Sequence, residues 1–99
     1  MITTKQRAFL RSLANEIVPI TQIGKQGVGE NLITTVIAAL EKHELVKLTV
    51  LETSPVSAKE AMVLICEAVG CEAVQVIGRK IVVYKQSSKE ENRKIVLPR

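Results

Sequence analysis

The chain has 99 residues, 46% of them hydrophobic and 24% charged, which suits one globular domain and excludes a mostly disordered chain. Two cysteines, one histidine and no aspartate are too few for a disulfide-stapled scaffold, a four-thiolate zinc site or most carboxylate–histidine catalytic sets. A formal net charge of +4 suggests a polyanionic partner, yet Phe9 and Tyr84 are the whole aromatic complement, so a base-stacking platform of several rings is excluded.

Phe9, Leu10, Leu13, Ala14 and Ile17 form one stripe at helical spacing, predicting a helix over about 4–17. Thr3 or Thr4 caps its start and Pro19 forces its end. Lys5, Arg7 and Arg11 lie on its polar face, and cations in a first turn oppose the helix dipole. A short strand follows over 18–23. Next comes Gly24-Lys25-Gln26-Gly27-Val28-Gly29, a glycine cluster unlike anything else in the chain. Leu32, Ile33, Val36, Ile37 and Leu40 then mark a helix over 30–43, capped by Gly29 or Asn31. From Leu45 to Leu51 the period is two, with Val46, Leu48 and Val50 facing one way and Lys47 and Thr49 the other.

Ser57-Ala58-Lys59-Glu60 is a capping box that opens a third helix, and Gly70 stops it after Val69. Its stretch Ala61 to Cys66 is apolar on nearly all sides, which predicts deep burial. Strands over 73–77 and 81–85 are joined by a tight hairpin at Gly78-Arg79-Lys80. Residues 87–99 read as a polar, loosely held tail, with Ile95-Val96-Leu97 as the one segment able to dock. The order α-β-α-β-α-β-β implies an α/β (α+β) domain over 1–86. A strand–helix–strand crossover and a final hairpin give a four-stranded mixed sheet covered by helices. Met62, Ile65 and Val69 are expected to pack on that sheet with Leu48, Val50, Val74 and Val76. The longest apolar run is far short of the ~20 residues a membrane span needs, and the N-terminus lacks the pattern of a secretory signal. A cytoplasmic location without a membrane partner is expected.

Cys66 with His43 offers, in principle, a nucleophile and a base. Cys66 lies in the most apolar helix, where cysteine behaves as a small hydrophobe, and Cys71 after Gly70 is expected to be the more accessible thiol. His43 has no second histidine at ligand spacing. No enzyme, metal, cofactor or small-molecule substrate is predicted. Gly24-Lys25-Gln26-Gly27 between a strand and a helix is a G-x-x-G sequence: glycines let a backbone approach a phosphate, and the helix start supplies N–H groups. The spacing matches neither of the standard nucleotide-binding glycine loops, and a plain tight turn explains it equally well. Arg79 and Lys80 in the hairpin, Lys85 at the end of the last strand and Lys47 would converge with Lys25 if the crossover and the hairpin adjoin.

Three stretches in this order, Ile23 to Gly27, Ala39 to Leu48 and Val74 to Lys85, resemble the CRM domain, the RNA-binding module of chloroplast splicing and ribosome-maturation factors. The chain is most similar to the stand-alone bacterial, YhbY-like form of it. The resemblance spans residues 1 to about 86. It implies a fold similar to the C-terminal domain of translation initiation factor three. It also implies RNA binding through Gly24, Lys25, Gln26 and Gly27 with nearby basic residues, and association with precursor large ribosomal subunits. Two positions depart from the pattern: Gly29 stands where a threonine or serine often caps the second helix, and Lys85 where arginine is common.

A non-enzymatic, monomeric protein is therefore expected, binding ribosomal RNA or precursor large subunits through Gly24, Lys25, Gln26, Gly27, Lys47, Arg79, Lys80, Lys85, Arg7 and Arg11. The alternative is a protein–protein adaptor in translation that uses the same basic face. Gly27→Asp is expected to weaken RNA binding without unfolding the domain, and removal of the chain after Gln86 to leave it folded.

Overall fold

The computed structural model describes residues 2–99. Helix α1 (Thr4–Ala14), strand β1 (Thr21–Ile23), helix α2 (Glu30–His43), strand β2 (Leu45–Val50), helix α3 (Ala58–Val69), and strands β3 (Glu72–Ile77) and β4 (Lys80–Tyr84) follow in the expected order, with a 3₁₀ turn at Glu90–Asn92. The sheet runs β1-β2-β4-β3. β1 and β2 are parallel, and β4 lies antiparallel to both β2 and β3. The crossover and the hairpin do adjoin, through β2 and β4.

Local chemistry sets most of the boundaries. Thr3 and Gln6 form a capping box on α1, and Ser57 and Glu60 form another on α3. Gly70 ends α3 at a φ of 76°. Gly78 supplies the positive φ, 57°, that the two-residue hairpin needs at its first position. α1 stops three residues before its predicted end. Glu16 N–H bonds Leu13 O and Ile17 N–H bonds Ala14 O, so the last turn tightens at Asn15 before Pro19 is reached. The first strand is likewise shorter than predicted, since Pro19 has no N–H and Val18 is exposed.

The sheet separates two apolar clusters. On one face Val46, Leu48, Val50, Ile23, Ile81 and Val83 meet α2 (Val36, Leu40) and α3 (Ala61, Met62, Ile65). On the other, α1 lays Leu10 and Ala14 on Leu45, Val74, Val82 and Tyr84. The expected packing of Met62, Ile65, Leu48 and Val50 is present, with Val69 partly buried beside them. Val74 and Val76 are corrections. A β-bulge between Ala73 and Gln75 inserts Val74 as an extra residue and turns it to the α1 face, while Val76, paired with Ile81 on the edge strand β3, stays 41% exposed. α3 is also less buried than its composition suggests: Val63 and Leu64 face outward.

The segment read as a loose tail makes specific contacts. Glu44, fully buried and at a φ of 66°, accepts hydrogen bonds on its carboxylate from the N–H groups of Ser87 (2.9 Å), Lys94 (2.9 Å) and Ile95 (3.3 Å). Glu41 accepts from the Ser88 hydroxyl at 2.6 Å. Ile95 and Leu97 pack against the α1 cluster, and Gln6 Nε2 donates to Pro98 O.

Candidate nucleic-acid interface

β1 delivers the chain into a tight turn in which Gly27 N–H bonds Gly24 O at 2.9 Å. Gly27 is buried at a φ of 65°, and a Cβ there would stand 3.1 Å from Pro55 Cγ. Glycine is thus favoured twice over: a side chain is strained at this φ, and a Cβ would need the Pro55 ring to give by a few tenths of an ångström. Lys25 and Gln26 stand exposed at the tip. α2 starts at Glu30, three residues after Gly27, and its N-cap Gly29 offers no side-chain cap, whereas α1 and α3 both carry capping boxes. An open cleft of about 410 Å³ lies here, lined by Gln22, Lys25, Gly27, Glu30 and Asn31. The first-turn N–H groups and the positive end of the α2 dipole suit an anion. Glu30 already offers that helix end a carboxylate and would compete with a phosphate there.

The topology places the hairpin at the same end of the sheet. β2 runs parallel to β1 and β4 returns antiparallel, so the glycine turn, the 51–57 loop and Gly78-Arg79 share one rim. Pro55, which stands over the position a Gly27 side chain would take, also lines a second cleft of about 390 Å³ with Glu52, Ser54, Gly78 and Arg79. Arg79 pairs with Glu52 at 3.2 Å, both side chains being largely exposed. Lys80 stands opposite Thr49, and Lys47 opposite Val82, on the sheet face that α1 partly covers. Lys47 and Lys80 are therefore diagonal neighbours, within reach of one strand of polyanion.

Three predicted residues lie elsewhere. Lys85 follows β4 at the far end, roughly 16 Å along the strand from Lys80, and its Nζ donates to Val69 O at the end of α3. Arg7 Nε donates to Ala73 O on β3, and Lys5 Nζ to Arg99 O. Those contacts account for the basic start of α1. Arg11 is exposed on α1, one turn beyond Arg7. The structure thus brings together Gly24, Lys25, Gln26, Gly27, Arg79 and Lys80, with Lys47 adjoining, and separates Lys85, Arg7 and Arg11 from them.

Against known families, residues 2–85 match the model of the CRS1 / YhbY (CRM) domain. The chain belongs to this family. Within it, the chain is 41% identical over 98 residues to the probable RNA-binding protein YqeI of Bacillus subtilis, covering 99% of this chain and 100% of that one. It is 35% identical over 102 residues to an RNA-binding protein of Haemophilus influenzae, covering 99% and 96%. The solution structure of the hypothetical protein SAV1595 from Staphylococcus aureus superposes with a TM-score of 0.82 at 46% identity, covering 99% of this chain and 100% of that one.

In this CRM domain the two thiols reverse their expected exposure. Cys71 is buried and Cys66 only half-buried, their Sγ atoms 3.7 Å apart. Burial pushes the Cys71 thiol up to about 12 and raises that of Cys66, which disfavours the thiolate a nucleophile needs at neutral pH. Gln22, Asn31 and Glu52 are polar residues of the two clefts that the sequence did not mark as site residues, Asn31 being read only as a candidate helix cap. Asn31 and Gln22 flank the glycine cluster closely enough to have been found. Glu52 becomes relevant only once the hairpin is seen to fold back beside it.

Proposed function

We propose that this CRM domain is a non-enzymatic RNA-binding protein, acting as a cytoplasmic monomer on ribosomal RNA in precursor large subunits. The observation that carries the reading is the meeting of a glycine turn, a helix start without a side-chain cap, and Lys25, Lys47, Arg79 and Lys80 at one end of the sheet. The RNA-binding names of its relatives support the same partner. A phosphate approaches the Gly24–Gly27 backbone closely, accepts from N–H groups there, and is held by Lys25 as a mobile point charge. Lys47, Lys80 and Arg79 meet neighbouring phosphates. With Phe9 and Tyr84 the only aromatic side chains, recognition rests on backbone shape and ribose contacts rather than stacked bases.

The test is sedimentation of a cell lysate through a sucrose gradient. The parent chain is expected with precursor large subunits. A Lys25→Glu, Lys80→Glu variant of unchanged melting temperature is expected at the top of the gradient. Co-sedimentation of both proteins alike would remove the loop and hairpin from the contact, and absence of the parent from ribosomal fractions would remove the ribosomal role.

A further inference from the structure

The part of the sheet face that α1 leaves bare carries a row of side chains crossing all four strands. Register pairs Gln22 with Thr49, Thr49 with Lys80, and Lys80 with Ile77. Their strand neighbours Ile23, Val50 and Ile81 point into the α2–α3 core, so alternation turns Gln22, Thr49 and Lys80 to the opposite face, and Ile77 shares it through its register with Lys80. α1 and the C-terminal segment cover that face around Leu45, Val74, Val82 and Tyr84 and stop short of the row. Gln22, Lys80 and Ile77 are exposed, Ile77 at 60%, and Thr49 is half-buried. In the next row Lys47 and Gln75 flank Val82, and neither row contains a carboxylate. Gln22 also lines the glycine-turn cleft, so the row begins where that cleft ends. Four strands at about 4.8 Å spacing make the row roughly 14 Å long.

We propose that an RNA strand leaving the glycine-turn cleft continues across this row. Lys47 and Lys80 meet its phosphates, Gln22 and Thr49 hydrogen-bond its riboses, and Ile77 packs on a sugar or base at the far edge. This rests on the RNA-binding reading above and adds to it a path and three uncharged contacts. Charge decides the occupant: the two rows hold two lysines and no carboxylate, and they continue the anion-binding cleft. The uncharged groups give the path a preference. A threonine hydroxyl or glutamine amide can pair with a ribose 2′-OH, which DNA lacks, whereas a lysine binds either backbone.

The test places a benzophenone side chain at position 26, 77 or 63 of the full chain, irradiates living cells and quantifies the RNA attached. Position 63 lies on the exposed outer face of α3 and serves as the control. Attachment at 26 and 77 above that at 63 is the expected result. Attachment at 26 but not at 77 would overturn the path and leave the RNA-binding reading standing, whereas attachment at neither would overturn both. The second measurement is Thr49→Val, which keeps the side chain's shape and removes its hydroxyl. Its affinity for a large-subunit ribosomal RNA transcript is expected to fall about two- to tenfold, with no change for single-stranded DNA of the same sequence. Equal losses on the two, or no loss on RNA, would overturn the role given to the hydroxyl.

Discussion

At Gly27 two independent penalties face any side chain, the left-handed backbone and the Pro55 ring. Gly27→Ala is expected to cost about 1–3 kcal/mol in a denaturant titration. Gly24 differs: a Cβ there would meet Leu51 and Thr53 at 3.6 and 3.8 Å, ordinary contact distances, at a φ that imposes no strain. Gly24→Ala should leave the denaturation midpoint nearly unchanged, and an equal loss at both positions would show that the turn is not held as described. Gly27→Asp therefore disturbs folding before it reports on binding, contrary to its expected use as a clean probe. Lys25→Ala is the cleaner one, because Lys25 stands exposed at the tip.

Among elements, the C-terminal segment has the clearest consequences. Removing the residues after Gln86 strips the buried Glu44 carboxylate of three backbone donors and uncovers the α1 cluster. Each hydrogen bond to a charged group is worth roughly 1.5–3 kcal/mol, so truncation should lower the melting temperature by several degrees or more. An unchanged melting temperature would mean the segment is not docked in solution. The Ser88 hydroxyl and N–H hold the Glu41 carboxyl below its ordinary 4.5. A folded-state pKa that is lowered stabilises the docked state above the ordinary value and is lost as pH falls through the folded one. Amide-exchange protection at Ser88 should persist at neutral pH and fade below about 4.5. Protection that survives strong acid would contradict the role given to Glu41.

The same elements show what could be read from sequence. Ser57, Glu60 and Gly70 mark the bounds of α3 by local chemistry alone, and the bounds of α2 follow from its apolar stripe. The bulge at Val74 escapes such reading: no glycine marks it, and strict alternation assigns Val74 and Val76 to one face. The docked segment escapes too, because Glu44 finds its partners 43 to 51 residues away, and a polar composition looks the same solvated or clasped.

On the scale of the molecule, strand order decides which cations stand together. The glycine turn and the hairpin were each legible as loops, but only the order β1-β2-β4-β3 puts them on one rim and sends Lys85 to the other end. The measurement that tests this most directly is the salt dependence of affinity for a large-subunit ribosomal RNA transcript. Each lysine that neutralises a phosphate contributes about 0.7 to the slope of log affinity against log salt on single strands. Lys25→Ala, Lys47→Ala and Lys80→Ala together should lower the slope by about 2, and the trio Lys85→Ala, Arg7→Ala and Arg11→Ala should leave it close to the parent's. A slope lost with the second trio and kept with the first would contradict the assignment of the RNA contact to the glycine-turn and hairpin end.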